Sequence, residues 1–369
     1  MSVSRDDVVD LLSKLVAIDS VNPSLVPGGA GEGEVAAFVA DWARGEGLGV
    51  EVLEETPGRP SVLVRSRDPG RRTLLLCGHI DTVTVEGMSD PHAPRVDGDR
   101  LYGRGAYDMK AGVAAALLAC RDADGIVVAA VADEEHASLG VQEALRSVRA
   151  DAAVVTEPTE LEVVVAHKGF VWAEVEVTGR AAHGSRPHLG EDAIVKAGTV
   201  LTGIGEWDDR LGARTHPLLG RGSVHASLIE GGAEMSSYPA RCVVRLERRT
   251  LPGETGAQVG HEVEDLLERA GLRDARYEIL LVREPFEVDE GHEIVAAVRD
   301  AATGVLAEAP PIGGASYWAD AAFIAAAGIP TVMFGPGGEG AHAAEEWVSV
   351  EDTVAVARTL VAAAERFCA

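Results

Sequence analysis

Three uninterrupted apolar runs of strand length punctuate the first half of the chain: residues 73–77 (TLLLC), 126–132 (IVVAAVA) and 152–156 (AAVVT). Runs without a polar alternation predict strands covered on both faces. Between the first two, residues 109–120 (MKAGVAAALLAC) are rich in alanine and leucine and predict a helix. Strand, helix, strand is the rhythm of a doubly wound sheet. The rhythm breaks at residues 171–178 (VWAEVEVT), where apolar and polar positions alternate as in a strand with one wet face. A second such strand at 241–247 (RCVVRLE) and an acidic amphipathic helix at about 257–270 follow. After Glu290 the first rhythm resumes, with helices from about Ile294 and over 319–327, an apolar run at 331–334, and a closing helix from Val350. The pattern predicts a discontinuous α/β domain, 1–170 and 289–369, interrupted by a smaller α+β insert at 171–288.

Composition narrows the class. The chain has 369 residues, of which 46% are hydrophobic and 25% charged, ordinary globular usage that argues against disorder. Its formal net charge of −26 argues against a sequence-independent grip on nucleic acid, which needs clustered lysine and arginine. Asp6, Asp7 and Asp10 stand where a signal peptide would carry an apolar core, so a cytoplasmic location is expected. The longest uncharged stretch of interest, 321–338, contains Gly328, Pro330, Gly335 and Pro336, and predicts helix, turn and strand rather than a membrane span. Cys77, Cys120, Cys242 and Cys368 are widely spaced beside apolar residues, as expected of buried reduced thiols.

Metal-competent side chains fall directly after the predicted strands. His79 and Asp81 follow TLLLCG, Asp133, Glu134 and Glu135 follow IVVAAVA, Glu157 follows AAVVT, and His342 lies beyond TVMF and a glycine-rich loop. The carboxyl ends of strands line the ligand crevice of an open α/β sheet, so these residues can meet there. Each alone could be a helix cap or a satisfied polar residue. Together, carboxylates gathered around imidazoles need a cation to offset their repulsion. Asp108, in GRGAYDMKAG, reads either as an N-cap or as a carboxylate bridging two metal ions.

The motifs Gly78-His79-Ile80-Asp81, Gly103-Arg104-Gly105 through Asp108-Met109-Lys110, Asp133-Glu134-Glu135, Thr156-Glu157-Pro158-Thr159, Ala166-His167-Lys168-Gly169 and Gly335-Pro336-Gly337 with His342 resemble one family in order and spacing. It is the dinuclear-zinc family of acetylornithine deacetylase, succinyl-diaminopimelate desuccinylase, aminoacylase and glutamate carboxypeptidase. The resemblance covers nearly the whole chain. It implies a zinc-peptidase-like catalytic domain with a mostly parallel central sheet and an inserted α+β lid or dimerisation domain.

Carried over residue by residue, the resemblance implies that Asp108 bridges two zinc ions, one also held by His79 and Glu157, the other by Glu135 and His342. Cobalt or manganese could take their place. Asp81 would accept from the other nitrogen of His79 and fix its tautomer. Glu134 would be the general base that takes a proton from the attacking water and passes it to the leaving amine. His183, in Thr178-Gly179-Arg180-Ala181-Ala182-His183-Gly184, would stabilise the oxyanion, from the opposite subunit in dimeric members. Arg249 would pair with the substrate carboxylate, with Arg248 as its rival. Ser236 stands where the family usually carries an asparagine, which puts substrate contacts rather than hydrolysis in question. Gly314 lies in a glycine loop expected close to the substrate. A cis peptide is expected after Asp108.

The expected activity is hydrolysis of the amide of an N-acyl amino acid or short peptide by a cytoplasmic, zinc-dependent homodimer, with no nucleic-acid or membrane partner. A dipeptidase or carboxypeptidase of the same family is the alternative within this chemistry. A non-catalytic metal- or metabolite-binding homologue is the alternative outside it, although such a protein would not need Glu134 beside its ligands.

Overall fold

The computed structural model describes residues 3–369 and divides into two compact units. The first comprises residues up to Val165 together with Val288–Gly313 and Ala319–Ala369. Its sheet has four central strands, Leu74–His79, Ile126–Val131, Ala152–Val155 and Thr331–Met333, parallel to one another. Antiparallel strands Gly49–Leu53 and Ser61–Arg65 extend one side, and Val163–His167 joins the other at Val164. The central strands are fully buried, which accounts for their unbroken apolar sequence. Helix Ala111–Asp122 packs against helices Arg5–Val16 and Val350–Phe367 and buries ten consecutive residues, Ala111 to Cys120. Its alanines permit that close packing on several sides at once.

The expected helix from Met109 starts two residues later. A single wide turn, Ala106–Lys110, precedes it, in which Asp108 and Met109 leave helical torsions. The Asp108–Met109 peptide is cis, as the resemblance implies. Helix 319–327 is likewise trimmed to Ala321–Ala326.

The second unit comprises Ala166–Glu287 and Gly314–Trp318. A four-stranded antiparallel sheet, with Arg241–Thr250 and Gly169–Thr178 at its centre, Ser223–Gly231 at one edge and Arg276–Arg283 at the other, carries helices Ala193–Leu211 and Gly256–Arg269. One face of each central strand meets the helices in a core that includes Val171, Val175, Val244, Leu246, Trp207, Val263 and Leu266. The period-two pattern of residues 171–178 matches this arrangement. Residues 314–318, which sequence periodicity assigns to the larger domain, instead join this unit. The Lys168 amide donates to the Ala315 carbonyl at 3.2 Å, and the Trp318 indole donates to the Glu284 carbonyl at 3.1 Å. All four cysteines are buried and free. Among the described residues, no helix is long and apolar enough to cross a membrane.

Candidate metal centre

The ends of the four parallel strands deliver the metal-competent residues. His79 closes Leu74–His79, Glu134 and Glu135 follow Ile126–Val131 by a tight turn, and Glu157 lies two residues past Ala152–Val155. The loop after Thr331–Met333 passes through Gly335 and reaches His342. A side chain at Gly335 would run into the carbonyl of Glu157, so glycine lets the two strand ends approach.

Asp108 lies between the two imidazoles. Its Oδ1 is 3.2 Å from His79 Nε2, and its Oδ2 is 3.3 Å from His342 Nε2. Glu135 Oε1 is also 3.3 Å from His342 Nε2, and Glu157 Oε1 is 4.0 Å from His79 Nε2. One carboxylate thus presents one oxygen to each of two half-sites: His79 with Glu157, and His342 with Glu135. Glu134 comes nearer the first half-site than expected of a pure base. One of its oxygens lies within 4.8 Å of donor atoms of His79 and Glu157.

The electrostatics fit a cationic occupant. Burial raises the Glu134 and Glu157 carboxyls well above the usual carboxylate range, opposed mainly by His79. Burial and the charge of Asp108 also raise Glu135. Burial would press the His79 imidazolium down, but Asp108 and the surrounding carboxylates push it well above its ordinary value. His342 is pushed up to about 10 by hydrogen bonds to Asp108 and Glu135. These shifts mark a site whose groups together attract positive charge. Mixed imidazole and carboxylate donors suit a zinc-type divalent ion better than a hard, all-oxygen cation such as calcium.

The loop carrying Asp108 is held by a residue with no signal in the sequence. Glu346 is buried, and its carboxylate accepts the backbone N–H groups of Gly105, Tyr107 and Asp108 at 2.9–3.0 Å and the Arg104 guanidinium at 2.6 Å. The pairing joins positions more than 230 apart in sequence, so no local motif exposes it.

Asp81 takes a different place from the one expected. His79 Nδ1 faces the Asp81 backbone carbonyl at 3.0 Å, with the Asp81 carboxylate farther away at 3.7 Å. A donor at Nδ1 leaves Nε2 to face Asp108, which is the tautomer a ligand needs. The Asp81 carboxylate instead accepts the N–H groups of Glu134 and Glu135 at 3.1 and 3.3 Å, and the Asn22 amide at 2.7 Å. Asn22 also donates to Asp133 at 3.0 Å, and Arg59 spans Asp133 and Glu32. Asn22, Glu32 and Arg59 were not legible as site residues, because nothing in their neighbourhoods links them to a strand end.

The remaining candidates lie in the second unit. His183 is exposed, with Nδ1 2.8 Å from the Ser185 hydroxyl. Ser236 is exposed and donates to Glu234. Gly314 packs against Leu218 and Leu219 of its own unit. Arg248 is fully buried, paired with Glu254 and Glu262 at 3.0 and 3.1 Å. Arg249 keeps a third of its side chain exposed, bonds Glu247 at 2.8 Å and lies over the Phe170 ring. Of the two arginines, only Arg249 is accessible to a ligand.

The chain is similar over its whole length to several known proteins. Acetylornithine deacetylase from Proteus mirabilis is 29% identical over 392 aligned positions, covering 100% of this chain and 98% of that protein. The enzyme of the same name from Vibrio cholerae is 27% identical, covering 98% of both. Among solved structures, a tripeptidase from Staphylococcus aureus superposes with a TM-score of 0.80 at 19% identity over 99% of both chains. A dinuclear metal binding peptidase from Bacillus subtilis superposes with a TM-score of 0.71 at 13% identity, covering 99% of this chain and 98% of that one. The profile of Peptidase family M20/M25/M40 matches residues 75–366, and the chain belongs to that family.

Proposed function

We propose that this metal-dependent amidohydrolase removes the acyl group of an N-acyl amino acid, using two zinc ions that share Asp108. His79 and Glu157 complete one site, and Glu135 and His342 the other. The observation that carries the reading is the division of the Asp108 oxygens between His79 and His342, at 3.2 and 3.3 Å. Full-length similarity to acetylornithine deacetylases supports the substrate class.

Bound ions would supply Lewis-acid activation of water and of the amide carbonyl. The chain's own residues handle the protons and the substrate. Glu134, raised by burial and by neighbouring carboxylates, takes a proton from the attacking water and delivers it to the departing amine. His183 donates to the oxygen that becomes negative. Arg249 receives the substrate carboxylate, and Ser236 and the backbone at Gly314 complete its contacts.

The second unit also supports homodimerisation. Strand Ser223–Gly231 ends its sheet with Leu228 and Ile229 exposed, and Ile194, itself half exposed, lies against Gly231. An apolar open edge of this kind favours pairing with a second copy. Light scattering is expected to give twice the chain mass, and a monomer at micromolar concentration would remove the dimer.

The deciding experiment measures turnover of zinc-loaded protein on acetylated amino acids, succinylated amino acids and dipeptides. Acetyl or succinyl release at least tenfold above dipeptide cleavage is expected. Preferential dipeptide cleavage would overturn the deacylase assignment, and no turnover with two bound ions would favour a binding protein.

A further inference from the structure

Behind the metal-facing residues lies a second, mostly internal set of polar groups. Arg59 grips Glu32 with two nitrogens, Nε to Oε2 at 2.7 Å and Nη2 to Oε1 at 2.6 Å. The same Nη2 donates to Asp133 Oδ1 at 2.7 Å, and Nη1 donates to the Ser24 hydroxyl at 2.9 Å. Asn22 spends both amide hydrogens on carboxylates, Asp133 Oδ1 and Asp81 Oδ2, while its own oxygen accepts the Ser24 N–H. Glu32, Asp81, Asp133 and Asn22 are inaccessible to solvent, and Arg59 nearly so.

The chain of contacts ends on the backbone of the two residues that matter most. Asp133 adopts a left-handed conformation, with φ 68°, immediately before Glu134. From that turn the N–H groups of Glu134 and Glu135 meet the two oxygens of Asp81. Asp133 therefore holds the turn from its start, and Asp81 holds it from the following two amides. Asn22 ties these two carboxylates together, and Arg59 binds Asp133 to Glu32.

A scaffold needing only stability would gain little from two buried carboxylates on one guanidinium, since apolar packing commonly does as well. A site needing two adjacent glutamates aimed in different directions gains a fixed turn. We propose that Arg59, acting through Asp133 and the Asn22–Asp81 bond, is the positioning residue that aims Glu134 and Glu135. The proposal rests on the assignment of these two residues as base and ligand. It makes Arg59 act first on the half-site of Glu135 and His342, because the set holds the Glu135 backbone directly, whereas His79 meets the set only at Asp81.

The test uses the full chain stripped of metal and titrated with zinc against a chromophoric chelator. Two binding steps are expected, and the step that His342→Ala removes identifies the half-site of interest. In Arg59→Met that step weakens by about 10–100-fold, the usual effect of losing a group that orients a ligand, while the other step keeps its affinity. In the same variant kcat falls with KM unchanged, and Arg59→Lys recovers part of both losses. Asn22→Ala, a smaller change, shifts the same step in the same direction and decides the matter if Arg59→Met does not fold. Unchanged zinc affinity in Asn22→Ala and Arg59→Lys, or equal weakening of both steps, overturns the proposal. The binding arm needs no substrate, so it remains decisive if the deacylase assignment fails.

Discussion

In the sheet unit, the residues around the metal centre are constrained from far away in sequence: Asp108 by Glu346, Asp133 by Arg59, Asp81 by Asn22. In the smaller unit, His183 is tied to Ser185 and Ser236 to Glu234 at the surface, and Arg249, partly buried over the Phe170 ring, to Glu247, each two positions away. The first arrangement holds the donor atoms through buried, long-range bonds. The second leaves part of each side chain accessible to solvent. On the proposed reading, chemistry sits where burial and long-range bonds hold it, and recognition where side chains stay accessible.

The largest effect should come from the rigid region. Glu134→Gln keeps the volume and removes the base, and kcat is expected to fall by about 10²–10⁴-fold while two ions remain bound, as measured by atomic emission. Activity within a few-fold of the unaltered chain would place the base elsewhere. Next, the two arginines of the smaller unit should separate stability from recognition. Arg248→Met leaves Glu254 and Glu262 without their buried partner and is expected to cost about 3 kcal/mol in denaturant unfolding. Arg249→Met should leave unfolding unchanged and raise KM by about tenfold or more, the scale of a lost charge-assisted pair. The reverse result would exchange their roles.

The smallest effect concerns pH. His342 rises from its ordinary 6.5 to about 10 through Asp108 and Glu135. A group raised in the folded state stabilises it fully below the unfolded value, and that contribution disappears as pH climbs through the folded value. Burial raises Glu135 and Glu134 as well, which acts in the same sense. The metal-free protein should therefore lose thermal stability between about pH 6.5 and 10, followed by calorimetry. Zinc should flatten that slope, because the ions displace the protons. Parallel curves with and without zinc would show that the site does not exchange protons for metal.

What the sequence disclosed follows the same division. The parallel strands were legible because burial on both faces forbids polar residues, so apolar runs marked their ends and the residues beyond them. The break at residue 171 was legible because a half-wet sheet alternates. Asp108 stood out through the glycines before it. Glu346, Arg59, Asn22 and Glu32 left no such mark, since their partners come from distant segments and their own surroundings read as ordinary loop or helix start. Asp81 was found but misassigned: its spacing from His79 predicted a carboxylate contact, whereas the folded chain offers its backbone carbonyl to His79 and its carboxylate to the next strand end. Residues 314–318 were placed in the wrong unit because their bonds to Lys168 and Glu284 carry no periodicity.

The central claim is that one carboxylate, Asp108, divides two ions between the halves of the site. Anomalous diffraction from crystals grown with zinc measures this directly. Two peaks are expected, one beside each oxygen of Asp108, the first within coordination distance of His79 and Glu157 and the second of Glu135 and His342. A single peak, or two peaks that do not share Asp108, would contradict it.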